Sequence, residues 1–100
     1  MDTPIEFRKV LTHIHQDVFH FCTSIEEIAA YSLEYVDRSE APVVRSFLDE
    51  MTSGRHSAEE LMVFWINSPA QVWIKNGDQV ASFLKLLRSK LDERWPPAAL

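Results

Sequence analysis

Asn76-Gly77-Asp78-Gln79-Val80-Ala81-Ser82-Phe83-Leu84-Lys85-Leu86-Leu87-Arg88-Ser89-Lys90-Leu91-Asp92-Glu93-Arg94 is the stretch that decides the fold. Val80, Phe83, Leu84, Leu87 and Leu91 recur at the spacing that lays one apolar stripe along a helix. Asn76-Gly77-Asp78 reads as a turn, with Asp78 expected to cap the helix that follows. Arg88, Lys90 and Arg94 fall in the last turns, where cations suit the helix dipole. A stripe of this kind must be covered, so the remaining segments are read for elements that could cover it.

Working back towards the N-terminus, Ala70 to Lys75 is the least helical stretch. Val72, Trp73 and Ile74 could lie extended, but a lone strand has nothing to pair with, and a loop tucked against the core is expected. Before it, Ser57-Ala58-Glu59-Glu60 forms a capping box that opens a helix to about Asn67, closed by Ser68-Pro69. Its run Leu61-Met62-Val63-Phe64-Trp65-Ile66 is apolar around the whole circumference, which predicts a helix buried on every side. A further helix is expected after Ser39, with Pro42 in its first turn, Val44, Phe47, Leu48 and Met51 inward, and Gly54 as its stop. Another starts at Thr23-Ser24, with Glu26 and Glu27 three residues beyond a possible cap. Ile25, Ile28, Ala29 and Val36 form its stripe, beside Tyr31 and Tyr35. The first opens at Thr3-Pro4-Ile5-Glu6, with Thr3 as cap and Glu6 completing a box. It buries Phe7, Val10, Leu11 and Ile14 and ends between His13 and Val18. Residues 95–100, with Pro96-Pro97, are expected to fray. The reading is an all-α, compact single-domain bundle of about five short helices spanning residues 1–100.

Composition agrees. One hundred residues suffice for one core, and two glycines provide few sites for the positive-φ turns that hairpins need. The net charge of −5 is unevenly spread. Between His13 and Glu60 ten acidic residues face only Arg38, Arg45 and Arg55, a net of −7. Such a region repels phosphate, which disfavours direct nucleic-acid binding, and draws in a basic protein. The single cysteine, Cys22, excludes an internal disulfide. With no signal-like N-terminus and no apolar run of membrane-spanning length, a cytoplasmic protein with no membrane role is expected.

His13, His15, His20 and Cys22 are the right ligand types for zinc, but no two of the histidines stand four apart as a helical pair requires. No metal or cofactor is expected. His15 and Asp17 are instead expected to brace the end of the first helix by hydrogen bonds. Cys22, flanked by apolar residues, reads as a packing residue, since a neighbour in sequence such as His20 rarely forms a working dyad with it. Glu26-Glu27 and Glu59-Glu60 occupy first turns of helices, where caps and dipole explain them, and Asp49-Glu50 lies on a solvent face. With no phosphate-cradling loop either, no enzymatic activity is expected.

The order of features resembles a family: His15-Gln16-Asp17 after a short apolar helix, Ser24-Ile25-Glu26-Glu27, Phe47-Leu48-Asp49-Glu50, Ser57-Ala58-Glu59-Glu60-Leu61, then Phe83-Leu84 with Leu87-Arg88. This pattern, from about Phe7 to Leu91, is similar to the helical immunity proteins of bacterial contact-dependent growth inhibition systems. Where that family usually has an aromatic residue directly after the triplet, this chain has Val18 and then Phe19. The resemblance implies a non-catalytic protein that binds and neutralises a cognate toxin's C-terminal domain, commonly a nuclease and therefore basic. Carboxylates at Asp17, Glu26, Glu27, Glu34, Asp37 and Glu40 would then steer the toxin in, with an exposed aromatic among Phe19, Tyr31 and Tyr35 as anchor. The competing reading is a small helical adaptor or regulatory subunit without a toxin partner.

Overall fold

Which residues satisfy the exposed N–H groups at each helix start sets where each element begins. In the computed structural model, which describes residues 2–97, five α-helices and one 3-10 turn follow one another: α1 Ile5–Thr12, the 3-10 turn Gln16–His20, α2 Ile25–Ser32, α3 Ala41–Met51, α4 Ala58–Ile66 and α5 Gly77–Arg94. No strand occurs among the described residues.

The caps partly follow the expected pattern. Ser57 and Glu60 form the full capping box, Ser57 Oγ accepting from the Glu60 N–H at 3.1 Å and Glu60 accepting from the Ser57 N–H at 3.0 Å. At α2, Ser24 Oγ accepts from the Glu27 N–H, while Glu27 reaches one residue further out to the Thr23 N–H and hydroxyl. The entry to α3 is organised by Asp37 rather than Ser39. Its carboxylate accepts from the Glu40 N–H at 2.9 Å and the Ser39 hydroxyl at 2.6 Å, and Glu40 accepts in turn from the Asp37 N–H. Thr3 does not cap α1, which starts from Pro4, whose carbonyl accepts from Phe7 and Arg8.

Asp78 does not cap α5 either. Asn76 does, accepting from the Gln79 N–H at 3.0 Å, so Gly77 is the first helical residue and Asp78 lies within the first turn. The reason is packing. A Cβ on Gly77 would stand 1.8 Å from the backbone carbonyl oxygen of Ala58, so the starts of α4 and α5 meet where only a glycine fits. Gly54, at φ +92°, has a different task and turns the chain after α3.

α5 is the spine. Its 18 residues, about 27 Å of helix, pack against α4, α3 and α2, while α1 packs on α3 and α2. The fully buried residues include Val80, Leu84, Leu87 and Leu91 from α5, met by Phe7, Leu11, Val44, Leu48 and Met51. The shortest dimension, 21 Å, corresponds to two helical layers.

Four expectations about burial need correction. α4 is not buried all round: Leu61, Phe64 and Trp65 point inward, whereas Val63 is 58% and Ile66 67% exposed, because α4 is covered chiefly by α5 on one side. Phe47 is half-buried, its ring between Phe7 at 5.0 Å and Phe64 at 5.9 Å. Val36 is buried but lies beyond α2, which stops at Ser32, and Ile25 at the start of the stripe is half exposed. The C-terminal end of α5 is tied down: Trp95 donates its indole N–H to the Val36 carbonyl at 2.8 Å, and Arg45 donates to the Trp95 carbonyl. Of the tail expected to fray, Trp95 is therefore docked, Pro96 and Pro97 are exposed, and residues 98–100 lie outside the described residues.

Candidate functional site

The tucked loop between α4 and α5 forms as expected, held by two backbone-directed bonds. Gln71 N–H donates to the Ile14 carbonyl at 2.8 Å, and the Trp65 indole N–H donates to the Val72 carbonyl at 2.9 Å. Val72 and Ile74 turn inward against the core, and Trp73 between them turns outward to 79% exposure.

That loop faces the 3-10 turn and the start of α2. Between them and α5 lies a groove of about 600 Å³ whose walls are mostly carbon. Cys22, Trp65 and Phe83 are buried residues lining it, and Phe19, Ile25 and Trp73 are its large exposed residues. A larger depression of about 880 Å³ lies between the N-terminal residues and α4, but its lining is mixed polar and apolar, and its Ser57 and Glu60 are already engaged in the capping box.

The expected contact residues separate into two groups. Asp17, Glu26 and Glu34 are exposed, as are Phe19 and Tyr35. Glu27 and Asp37, exposed as well, and the half-buried Glu40 are also bonded into the framework. The Thr23 backbone and hydroxyl hold the Glu27 carboxyl below its usual pKa. The Ser39 hydroxyl and the Glu40 N–H do the same for Asp37. Glu40 is held down first by Lys9, whose ammonium sits 2.6 Å from it and ties α1 to the start of α3. Tyr31 is half-buried, and burial raises its phenol pKa.

Tyr31 belongs to a cluster that the sequence reading did not foresee. His13 stacks on Tyr35 with ring centroids 4.4 Å apart, and Phe21 meets Tyr31 edge-on at 4.8 Å. His15 stands edge-on to both Phe21 and Tyr31. His13 Nδ1 lies 2.7 Å from the Lys9 carbonyl, which can only accept, so that nitrogen carries the proton. The expected bracing by His15 and Asp17 does not form: His15 Nδ1 is buried without a hydrogen-bond partner, and Asp17 is exposed. Aromatic packing and the Gln71 bond hold this corner instead.

Among the described residues, no group of three or more His, Cys, Asp or Glu side chains comes together in a way that could hold a metal ion. Cys22 is a buried free thiol whose pKa is pushed up by burial and then by Glu27 and Glu34, so it stays protonated and weakly nucleophilic. His56 stands between Glu50 at 3.5 Å and Glu60 at 3.7 Å, too far for hydrogen bonds. It links the end of α3 to the start of α4.

Sequence reasoning missed Trp73, Ile25 and Phe21 as exposed apolar residues. For Trp73 a signal existed: in an extended segment alternate residues face opposite ways, so burying Val72 and Ile74 sends Trp73 outward. No helix among the described residues is long and apolar enough to cross a membrane. No family model matches the chain, and no curated protein or solved structure is detectably similar to it.

Proposed function

We propose that this protein is a cytoplasmic immunity protein of the contact-dependent growth inhibition type, which binds a basic toxin domain, a nuclease, and blocks it without catalysing a reaction. The observation that carries this reading is the surface built by the 3-10 turn and α2. There and in the segment that follows α2, Asp17, Glu26 and Glu34 are exposed, as are Phe19, Phe21 and Tyr35, and no lysine or arginine occurs between His13 and Asp37. Exposed aromatics provide rigid contact area, and uncompensated carboxylates beside them draw a cationic partner to it. Tight binders combine these two properties. The order of motifs from Phe7 to Leu91 supports the same reading independently.

The test is to look for a large secreted toxin gene beside this chain's gene and to co-express its C-terminal domain with the chain. Growth restored by the wild-type chain, together with co-purification of the two proteins, is the expected result. A toxin domain that kills equally well with and without the chain, and does not co-purify with it, overturns the proposal.

A further inference from the structure

We infer that protonated His56 is a clasp between the end of α3 and the start of α4, closed while the imidazole carries two protons and open once it loses one. Such a clasp is independent of the proposed function.

His56 lies in the connection between the two helices with its side chain 15% exposed, and both ring nitrogens are buried without a hydrogen-bond partner. Buried polar atoms are ordinarily satisfied, so two bare ones in a single ring need a cause. Each faces a carboxylate. Nε2 stands 3.5 Å from Glu50 Oε1 on α3, and Nδ1 stands 3.7 Å from Glu60 Oε2 on α4. Ionised carboxylates only accept, and a neutral imidazole has one N–H and one lone pair. In that state one of the two carboxylates confronts a lone pair. The imidazolium has two N–H groups and matches both. Closing each contact to a charge-assisted bond of roughly 2.8 Å takes a movement of less than about 1 Å.

Both carboxylates are held in place through their other oxygen. Glu60 Oε1 accepts from the Ser57 N–H and so completes the capping box, which leaves Oε2 for His56. Glu50 Oε2 takes Arg55 Nη1 at 3.3 Å, which leaves Oε1. The Glu60 carboxyl lies below its usual pKa, held there first by Ser57 and further by His56. Of the other charges around this corner, α4 adds Glu59, and α1 brings Arg8 to the depression that Ser57, Glu59 and Glu60 line. α5, which meets the start of α4 at Gly77, brings Asp78. All three are exposed, and among the described residues no third carboxylate lies within 4 Å of the imidazole nitrogens.

The folded corner therefore favours the charged ring, while an unfolded chain separates the three side chains and does not. Stability from the clasp is present while His56 is protonated and is lost as pH rises through the range where histidines titrate, about 6–7. It is lost again in acid once Glu50 and Glu60 take up protons, so the clasp is closed in a window around pH 5–6.

The experiment measures the urea midpoint of the full chain and the exchange protection of the Ser57 N–H, corrected for intrinsic rate, at about pH 5.5 and about pH 8.5. In the wild type, protection is expected to fall at least three-fold from the lower pH to the higher, and the midpoint to fall with it. His56→Gln cannot take up the proton and is expected to lose most of this response, although His13, His15 and His20 remain. Glu50→Gln keeps the imidazole and the capping box and is expected to lose about half of it. Long-range 15N–1H spectra are expected to show both His56 nitrogens protonated at the lower pH. An identical pH response in wild type and His56→Gln, or a His56 ring with one bare nitrogen at the lower pH, overturns the inference. If His56→Gln does not fold, a full wild-type response in Glu50→Gln overturns it equally.

Discussion

Replacing Gly77 with alanine tests the account of why α5 starts where it does. In an ordinary helix interior this change is favourable by about 1 kcal/mol, because alanine gives up less backbone freedom. Here the added Cβ would stand 1.8 Å from the Ala58 carbonyl oxygen, 2.4 Å from its carbon and 2.6 Å from its Cα, against an ordinary contact of 3.4 Å or more. All three obstacles are backbone atoms, so no rotamer change relieves the clash. The starts of α4 and α5 must separate by about 1.6 Å. That motion works against the edge-on packing of Trp65 on Phe83 at 5.7 Å and against the Trp65 bond to Val72. Forcing extra atoms into a packed contact costs about 1–3 kcal/mol, and about 3–5 kcal/mol where, as here, only backbone can give way. A net loss on the order of 2–4 kcal/mol is expected after the helix-propensity gain is subtracted. For a domain of this size it lowers Tm by about 10–20 °C.

Urea unfolding followed by far-UV circular dichroism and tryptophan fluorescence measures this directly. Adding Ala58→Gly is expected to restore nothing, because the obstacle is the carbonyl and not the methyl group. Gly54→Ala provides the contrast. Its φ of +92° strains any other residue although no atom lies within 4 Å, so a loss of only about 1 kcal/mol is expected. A Gly77→Ala protein as stable as wild type, or more so, would refute the close approach of α4 and α5.

Leu84 is fully buried and Phe47 only half, so Leu84→Ala is expected to cost about 2–5 kcal/mol and Phe47→Ala clearly less in the same urea titration. Equal losses would mean that the two environments are misassigned. Glu27, Asp37, Glu40 and Glu60 have pKa values lowered by their cap and ion-pair bonds. Burial alone would raise Asp92, but the guanidiniums of Arg88 and Arg45 outweigh it and leave Asp92 lowered too. Groups with depressed folded pKa values bind more protons when unfolded. Their contribution is therefore complete above the ordinary carboxylate range and lost as pH falls through the lowered folded values. Unfolding midpoints that stay flat from neutral pH down to about 3 would contradict this. Under the proposed function, converting Asp17, Glu26 and Glu34 together to their amides is expected to slow association with the toxin domain about ten-fold at low salt and far less at high salt, with little change in dissociation. Stopped-flow rates indifferent to both salt and substitution would remove the steering role.

Local chemistry made the helices legible, and tertiary packing decided what local chemistry left open. Asn76 and Asp78 are equally good caps, as are Ser39 and Asp37, and nothing within either segment ranks them. The choice at α5 follows from Ala58, nineteen residues away, because Gly77 must be the residue that meets its carbonyl. The run from Leu61 to Ile66 read as buried because six apolar residues carry no information on how many neighbours the helix has. α4 lies at an edge, so Val63 and Ile66 remain exposed. The acidic residues were legible as a group but not by role. Which of two adjacent glutamates near a helix start reaches back to it depends on which residue is the cap: with Ser24 and not Thr23 in that place, Glu27 stands three residues on and bonds Thr23, and Glu26 is left exposed. This distinction narrows the candidate surface. Glu27, Asp37 and Glu40 already hold helix starts together, so moving them to a partner would give up those bonds. The free carboxylates of Asp17, Glu26 and Glu34 are the ones that a cationic partner can engage without unfolding a helix end. They flank the same corner of the molecule that exposes Phe19 and Ile25, and a recognition surface assembled from both can bind tightly while the framework beneath it stays fixed.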